Sequence, residues 1–333
     1  MSIAATVGIP VTTGIRACIH DGFVALEDLR IDQRFLLYLL KASETRLREA
    51  GQSGSQMNVN TTIINGLTVS IPSDRAEQER IASALWDTDD LIAALERIIG
   101  KKRGIKQGIM QELLTGRTRL PGFGQDWAVE KLSEVSVLKG RIGWQGLTQQ
   151  EFTANSSEPF LITGMNFKDG AIRWDEVYHV SEERYALAPD IQLRPGDVLM
   201  TKDGTIGKLL YVDRIPYPGK ATLNSHLLLF RPRSNAYDPL FLYYQLASPR
   251  FAAHIEVNKS GTTFFGISQT SVGKYDVLLP PIEEQRKIGR TLLDADTEIA
   301  ALERRLESAR AIKQGMMQEL LSGRTRLLTE IAA

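Results

Sequence analysis

Two glycine-rich stretches of the sequence carry side-chain types that contact nucleic acids. Arginine and lysine pair with guanine edges and glutamine with adenine edges, while lysine, threonine and backbone N–H groups suit phosphates. Glycine lets such loops approach a ligand closely. We therefore predict that residues 138–148 (LKGRIGWQGLT) and 258–270 (NKSGTTFFGISQT) contact DNA. For Trp144 and Phe264 the alternative is a position in the hydrophobic core. The candidates are Lys139, Arg141, Trp144, Gln145, Lys259, Thr262 and Thr263.

The stretch KDGTIGK at 202–208 is similar to a phosphate-binding loop but departs from that motif twice. The motif requires glycine where this chain has Lys202, and serine or threonine where it has Leu209. A strand–turn–strand hairpin with glycines in the turn explains the stretch better. Lys202, Thr205 and Lys208 then form a predicted phosphate-contacting edge.

The sequence carries no recognisable catalytic or metal-binding set. The four histidines are scattered without the spacing of metal ligands, so we predict no metal site. His226, beside Asn224 in LNSHLLLF, is the histidine of interest, and both residues join the DNA-contact candidates. No dinucleotide fingerprint, GxSxG elbow or adenine-methyltransferase motif occurs, and paired carboxylates stand in charged or helix-start contexts. We therefore predict a protein that is not an enzyme and binds no cofactor itself.

Composition narrows the class of protein further. The 40 basic and 40 acidic residues balance, which argues against a general polyanion binder but permits a local basic face. The single cysteine, Cys18, excludes a disulfide framework and a cysteine-based zinc site within one chain. The N-terminus lacks a signal-peptide pattern, and no apolar run approaches the roughly 18 residues of a membrane span. These features predict a soluble cytoplasmic protein without a membrane partner.

One segment of the chain occurs twice. Residues 78–120 align with 285–327 without gaps, and 26 of the 43 positions are identical. Each copy spaces apolar residues by four and three, which places one apolar seam along a helix and suits pairing with a second such helix. The two seams are Ile81, Leu85, Thr88, Ile92, Leu95 and Ile99, and Ile288, Leu292, Ala295, Ile299, Leu302, Leu306 and Ala309.

We predict that the two copies form an antiparallel, coiled-coil-like pair of long helices that joins globular units. Proline followed by acidic residues marks each helix start, and Gly116 and Gly323 mark the ends. Gly108 and Gly315 interrupt the two helices. We interpret them as points of close backbone approach, with helix bending as the alternative.

The regions outside the repeat differ in completeness. Residues 121–280 hold 20 of the 24 aromatic residues and several short β-type runs, which indicate a compact mixed domain. Residues 1–72 match only the end of that domain, so we expect the first domain to be partial. The predicted fold is α+β, a mixed α/β chain with domains at 1–72 and 121–280 and long helices at 73–120 and 281–330.

These features resemble the specificity subunits of type I restriction–modification systems, over essentially the whole chain. Two long helices each open with Pro, Gln and Ile and close with KQGxMQELLxGR. The motif residues are Pro72, Gln78, Ile81 and Lys106 to Arg117 in the first copy, and Pro281, Gln285, Ile288 and Lys313 to Arg324 in the second. The stretches RPGDVLMTKDGTIGK, GTTFFGIS and VLLPPIEEQ also look like the family's target recognition domains.

The resemblance implies a division of tasks between subunits. Each recognition domain would read one half of a split site on double-stranded DNA, and the helices would hold the domains apart and dock the modification subunits. Those partners, DNA adenine methyltransferases, would bind S-adenosylmethionine. A restriction or motor subunit would bind ATP and Mg. The partial first domain leaves open whether the first half-site is read.

Three alternatives stay open from the residues alone. One is a protein-interaction adaptor or inactive fragment, whose helical pair docks a partner without sequence-specific DNA binding. Another is a nucleotide-binding enzyme built on KDGTIGK, which the failed spacing disfavours. The third is a fragment that pairs with a second copy to restore two recognition domains.

Overall fold

The computed structural model describes residues 1–3, 8–51, 59–141, 146–168, 170–261 and 265–327. The chain divides into two compact units. Unit 1 comprises Met1–Lys101 and Ile299–Ala333, and unit 2 comprises Lys102–Glu298.

Helices and short strands alternate along the described residues. In chain order the helices are α1 Gln33–Ala42, α2 Glu44–Ala50, α3 Thr61–Asn65, α4 Arg75–Leu113, α5 Leu132–Val135, α6 Glu182–Ala186, α7 Pro239–Leu246, α8 Pro249–Asn258, α9 Gln269–Gly273 and α10 Ile282–Leu320. The strands are β1 Ala128–Lys131, β2 Ser136–Lys139, β3 Phe160–Ile162, β4 Phe167–Lys168, β5 Ala171–Ile172, β6 Tyr178–His179, β7 Val198–Thr201, β8 Leu209–Tyr211, β9 Ala221–Leu223, β10 Leu227–Pro232 and β11 Asp276–Leu279. This mixture confirms the predicted α+β fold. No helix among the described residues is long and apolar enough to span a membrane.

The long helices α4 and α10 each contain 39 residues. Most residues of the predicted apolar seams are buried and the others are half-buried, with Leu85 and Leu292 wholly inaccessible to solvent. After the helices, Gly116 and Gly323 adopt φ values of +71° and +74°. This left-handed conformation is the usual helix stop, because glycine adopts it without a steric penalty.

Gly108 and Gly315 do not mark close backbone approach. Apart from the adjoining backbone of its own helix, a Cβ atom built at either position would meet no atom of the described residues within 4 Å. The interpretation of these glycines as close-packing positions is therefore wrong. Alanine would fit at both positions, and each substitution would favour the helix by about 1 kcal/mol.

In unit 1, short helices pack against parts of the two long helices. The Asp32 side chain caps α1 by accepting a hydrogen bond of 2.8 Å from Phe35 N. Phe35 and Tyr38 of α1 share one apolar core with Ile81 of α4 and Leu320 of α10. Among the described residues of this unit no strand forms, so helix packing builds its core.

A polar network links α1 to the long helices of unit 1. Tyr38 Oη donates to Asp89 Oδ2 at 2.8 Å, and Lys313 Nζ lies 2.6 Å from Asp89 Oδ1. Burial opposes ionisation of Asp89, but hydrogen bonds from Lys313 and Tyr38 outweigh it and hold the pKa below its ordinary value. Arg326 donates two hydrogen bonds, of 2.6 and 2.5 Å, to the buried carboxylate of Glu77. These pairings require α4 and α10 to run antiparallel here.

In unit 2, the duplicated residues form an equivalent network. Tyr244 Oη donates to Asp296 Oδ2 at 2.8 Å, and Lys106 forms an ion pair with the same carboxylate. Burial and the hydrogen bond to Asp296 raise the pKa of Tyr244. Arg119 donates hydrogen bonds of 2.7 and 2.6 Å to the buried Glu284. The long helices are therefore antiparallel in this unit as well.

A glutamine in each copy ties the start of the long helix to an earlier helix cap. Gln78 Oε1 accepts from Asp32 N at 2.9 Å, and Gln285 Oε1 accepts from Asp238 N at 2.9 Å. Each glutamine also donates to a proline carbonyl, at 2.8 and 2.7 Å respectively. This contact explains why the same glutamine occurs in both copies.

Unit 2 contains four small sheets among its described residues. The largest has the strand order β2–β10–β7–β8 and is antiparallel throughout. A second has the order β6–β3–β9, with β3 and β9 parallel. β1 pairs with β11, and β4 pairs with β5. The runs GDVLMT, KLLYV and HLLLFRP, interpreted as β-type from sequence, contribute β7, β8 and β10.

The apolar run PLFLYYQLASPRFAAHI at 239–255 belongs to two helices. Asp238 caps α7 and accepts from Phe241 N at 3.0 Å. Ser248 caps α8, whose first residue is Pro249. Proline lacks an N–H group and disfavours a helical conformation in the residue before it, so the run breaks at Ser248.

Candidate nucleic-acid interface

Connecting segments of unit 2 meet at one edge of the β2–β10–β7–β8 sheet. Thr201, the last residue of β7, lies opposite Leu227, the first residue of β10. The hairpin 202–208 joins β7 to β8 at this edge. β2 ends at Lys139 opposite Leu229, so the chain after β2 also leaves there. The antiparallel register therefore brings the loops that follow β2 and β7 together with the turn that precedes β10.

A further segment, which follows α8, is tied to the hairpin by backbone contacts. Asp203 and Gly266 form an antiparallel bridge, and Ile267 N donates to Lys202 O at 2.8 Å. Lys202 N in turn donates to His226 O at 2.9 Å. The hairpin thus connects the turn before β10 with the segment after α8.

The hairpin has the predicted strand–turn–strand geometry. Gly204 and Gly207 adopt φ values of +65° and +85°, which favour glycine. The hydroxyl of Thr201 donates to Thr205 O and accepts from Lys208 N, the latter at 3.0 Å. These contacts brace the turn and leave Thr205 and Lys208 exposed.

Two candidate lysines at this edge form surface ion pairs. Lys139 Nζ lies 2.7 Å from Asp190 Oδ2, and Lys259 Nζ lies 2.6 Å from Glu256 Oε2. Lys259 also lies over the ring of Phe265, 5.0 Å from its centroid. Exposed ion pairs contribute at most about 1 kcal/mol, so a phosphate can replace either carboxylate at little cost.

Lys202 and Lys208 supply further positive charge. Lys208 is exposed, and Lys202 is half-buried. Across the part of the chain that the structure describes, neither lysine forms an ion pair. Both ammonium groups are therefore available to neutralise phosphates, as a protein needs when it binds a nucleic-acid backbone.

Asn224 and His226 occupy the turn from β9 to β10. Asn224 Oδ1 accepts from His226 N at 3.1 Å. His226 Nδ1 lies 2.7 Å from Asp203 Oδ1, and the imidazole is 56% exposed. His179 and His254 instead hydrogen-bond backbone carbonyls, at 2.8 and 2.9 Å. His226 is thus a surface imidazole whose ring is held by a carboxylate.

Arg141 is placed differently from the other candidates. Its side chain is buried and donates to Leu223 O at 2.9 Å and to Thr222 Oγ1 at 3.1 Å. Burial, with a smaller effect of Arg184, lowers its pKa to about 10, so the guanidinium stays charged at neutral pH. Arg141 therefore supports the end of β9, just before Asn224. A base contact would require those hydrogen bonds to be replaced.

The structure brings most of the described candidates to this edge. They are Lys139, Lys202, Thr205, Lys208, Asn224, His226 and Lys259. Trp144, Gln145, Thr262 and Thr263 lie outside the described residues, so their contacts stay a prediction.

Sequence reasoning missed two acidic residues at the edge, Asp190 and Asp203. Asp190 is 51 positions from its partner Lys139, and Asp203 is 23 positions from His226. Only Asp203 offered a signal in the sequence, because it stands inside the candidate stretch KDGTIGK. The pairing of Asp190 with Lys139 could be identified only from the tertiary structure, because the two residues are far apart in the sequence.

The edge offers ammonium groups, an amide, a hydroxyl and an imidazole. Among the described residues, no group of three or more His, Cys, Asp or Glu side chains could hold a metal ion. Lysines and amides bind phosphates and base edges, and paired long helices form a rigid scaffold. The edge thus presents the types of chemical group that nucleic-acid recognition proteins use.

Comparison with known families places the chain more narrowly. The family described as type I restriction modification DNA specificity domain matches residues 1–106 and 124–309. Because this match covers most of the chain, the chain belongs to that family, as its motifs predicted. Specificity subunits of type I systems are non-catalytic, which confirms the prediction that this chain is not an enzyme.

Individual relatives agree with the family. The type I restriction enzyme MjaVIII specificity subunit of Methanocaldococcus jannaschii is 26% identical over 328 residues, covering 94% of this chain and 76% of its own. The putative MjaX specificity subunit of the same organism is 23% identical, covering 90% and 70%. A crystal structure of the S subunit from M. genitalium superposes with a TM-score of 0.62 at 17% identity, covering 89% of this chain and 74% of its own. This likeness supports the fold.

Proposed function

We propose that unit 2 reads one half of a bipartite site on double-stranded DNA through the β2–β10–β7–β8 edge. The observation that carries the proposal is the convergence of four lysines with Asn224 and His226 on neighbouring segments. The lysines and Thr205 suit phosphates and set the register of the protein on the duplex, whereas the amide and imidazole suit base edges. Because the four lysines are gathered at one edge, that edge can attract DNA although the total charge of the chain is balanced.

The DNA-binding proposal is tested by combining Lys202→Ala with Lys208→Ala. We expect weaker binding to every sequence, and a salt slope of the binding constant that is smaller by about two. The measurement is fluorescence anisotropy of the purified chain with a duplex chosen from a random-sequence pool. Lys220→Ala is the control, because Lys220 is also an accessible lysine of unit 2 but precedes β9, at the opposite end of that strand from Asn224. An unchanged salt slope in the double variant would remove the hairpin from the interface.

We further propose that the long helices dock DNA adenine methyltransferase subunits. The supporting observation is an exposed apolar pair on α4 within unit 1. Leu91 and Ile98 are 40% and 43% exposed, and their spacing of seven residues places them on one face of the helix. Exposed apolar surface at coiled-coil spacing suits a partner that buries it.

The docking proposal is tested by co-purification from the host with mass spectrometry. Leu91→Asp combined with Ile98→Asp should reduce recovery of the methyltransferase at least tenfold. Val257→Asp is the control, because Val257 is exposed on α8, outside the long helices. Full recovery of the methyltransferase by the double variant would exclude this face as the docking surface.

The remaining chemistry of the complex belongs, in this proposal, to partners. S-adenosylmethionine would bind the methyltransferase, and ATP with Mg would bind a restriction or motor subunit. The complex would act in the cytoplasm, where bacterial and archaeal DNA lies. A chain that recovers a partner but shows no sequence-dependent, salt-sensitive DNA binding would instead be an adaptor.

A further inference from the structure

Asp203 and His226 form a side-chain pair at the proposed DNA-binding edge. His226 Nδ1 lies 2.7 Å from Asp203 Oδ1, although the residues are 23 positions apart. The carboxylate is 21% exposed, whereas the imidazole is 56% exposed. The pair thus consists of a partly buried acceptor and a surface ring.

Both members of the pair are held by their backbones. His226 O accepts from Lys202 N at 2.9 Å, and His226 N donates to Asn224 Oδ1 at 3.1 Å. Asp203 forms an antiparallel bridge with Gly266. These contacts fix the backbones of Asp203 and His226. Little conformational freedom is therefore lost when their side chains form the hydrogen bond.

The chemistry of the pair determines which ring nitrogen carries hydrogen. A carboxylate accepts hydrogen bonds and cannot donate them, so Nδ1 of His226 carries the hydrogen. In a neutral imidazole the other nitrogen, Nε2, is then an acceptor. Within the described part of the chain, no protein group is hydrogen-bonded to Nε2.

We propose that Asp203 is a positioning residue that fixes His226 as a hydrogen-bond acceptor for an exocyclic amino group in the major groove. This inference rests on the proposed function. Adenine N6 and cytosine N4 are the amino donors there, whereas guanine, thymine and phosphate oxygens are acceptors. A neutral imidazole in this tautomer therefore favours adenine or cytosine at one position and contributes nothing to phosphate binding.

The tautomer can be measured without DNA by ¹⁵N NMR of the histidine ring nitrogens at pH 8, where imidazoles as a class are neutral. We expect His226 in the wild-type chain to carry its hydrogen on Nδ1. In Asp203→Asn the amide can donate as well as accept, so we expect a mixed population. A wild-type His226 with its hydrogen on Nε2 overturns the inference, whether or not the chain binds DNA.

Base preference is then measured at pH 8 by selection from a random duplex pool. We expect the wild-type chain to favour adenine or cytosine at one position by about tenfold, and His226→Leu to lose that preference. His226→Gln should keep part of it, because the glutamine carbonyl also accepts. Both substitutions lie at an exposed side chain, so folding is not at issue.

Asp203→Asn should weaken the same preference, because only part of its His226 rings then present Nε2 as an acceptor, while its salt slope stays unchanged. Asp190→Asn is the matched control, since it removes a carboxylate that pairs with Lys139 at the same edge and should retain the preference. A wild-type chain that selects bases while Asp203→Asn selects them identically overturns the inference. A wild-type chain that selects no bases refutes the proposed function, and the NMR result then decides the positioning role of Asp203 separately.

Discussion

In unit 1, Arg326 reaches the buried Glu77 with 49% of its own side chain exposed, whereas in unit 2 the equivalent Arg119 reaches Glu284 with 24% exposed. Both arginines make two hydrogen bonds to the carboxylate. Arg119 also lies over the ring of Trp127, 5.5 Å from its centroid. The duplicated residues therefore form the same contact in two different solvent environments.

The units also differ where the preceding helix meets the helical pair. In unit 2, the buried Gln245 donates to Leu114 O at 2.9 Å and to Leu278 O at 3.3 Å. The sequence alignment of RFLLYLL with LFLYYQL places Leu39 at this position in unit 1, and leucine cannot donate a hydrogen bond. The polar network on the long helices is thus the same in both units. The hydrogen bonds of Gln245 in α7 have no counterpart at Leu39 in α1.

The different exposure of Arg119 and Arg326 predicts that the same contact stabilises the two units unequally. An ion pair that is shielded from water loses more when one partner is removed, because the remaining charge cannot be fully hydrated. Equal effects are expected only where burial matches, as it does for the two tyrosines. Substitutions at paired positions can therefore test the comparison directly.

The largest difference is expected between Glu284→Ala and Glu77→Ala. Glu284→Ala should lower the free energy of unfolding of unit 2 by about 3 kcal/mol, because Arg119 is left shielded without its carboxylate. Glu77→Ala should have roughly half that effect on unit 1, since the more exposed Arg326 can be hydrated. Hydrogen exchange measured by mass spectrometry separates the units. Equal losses would show that the exposure of the arginine is not what sets the effect.

Tyr244→Phe and Tyr38→Phe should have similar effects. Each substitution removes one hydrogen bond to a carboxylate from a tyrosine that is almost wholly buried. We expect a loss of about 2 kcal/mol in the unit concerned, in the range for hydrogen bonds to charged groups. Urea unfolding combined with hydrogen exchange measures both, and a difference above about 1 kcal/mol would mean that the two networks are not equivalent.

Gly116→Ala should destabilise the chain more than Gly323→Ala. Both positions have positive φ, which costs an L-residue about 1–2 kcal/mol. A Cβ atom at 116 would also lie 3.3 Å from the Trp127 ring, whereas one at 323 would meet no atom of the described residues within 4 Å, its chain neighbours aside. The difference should be about 1 kcal/mol and is measured as a shift in Tm. Equal shifts would show that Trp127 moves aside without cost.

The smallest expected effect is the contribution of Glu77 to the loss of stability of unit 1 at low pH. The hydrogen bond from Arg326 holds the pKa of Glu77 below its ordinary value of 4.5, despite burial. A lowered folded-state pKa contributes stability that is present above pH 4.5 and is lost as the pH falls through the folded value. Unit 1 of Glu77→Gln should therefore lose less stability than unit 1 of the wild type between pH 5 and pH 3. Parallel pH profiles from hydrogen exchange would contradict this role of Glu77.

Much of the fold could be predicted because its signals are local. The four-three spacing identified the seam that buries Leu85 and Leu292, and the short β-type runs identified β7, β8 and β10. The errors arose where local signals were incomplete. Gly108 and Gly315, interpreted as points of close backbone approach, have no close neighbour from another described segment of the chain.

The candidate site was predictable in composition but not in arrangement. Glycine-rich and lysine-containing loops identified Lys139, Lys202, Lys208 and Lys259 as candidates. The sequence could not show that Arg141 turns inward to bind the end of β9. Residue type alone does not distinguish a guanidinium that faces DNA from one that supports a loop.

The sequence by itself determined the family, the duplicated long helices and the residue types at the recognition edge, because these depend on motifs and periodicity within short segments. Only the tertiary structure decided that Asp203 meets His226 and that Arg119 and Arg326 differ in exposure. Such pairings depend on strand register and on the packing of distant segments. Both are set by burial of the whole core, which no local pattern encodes.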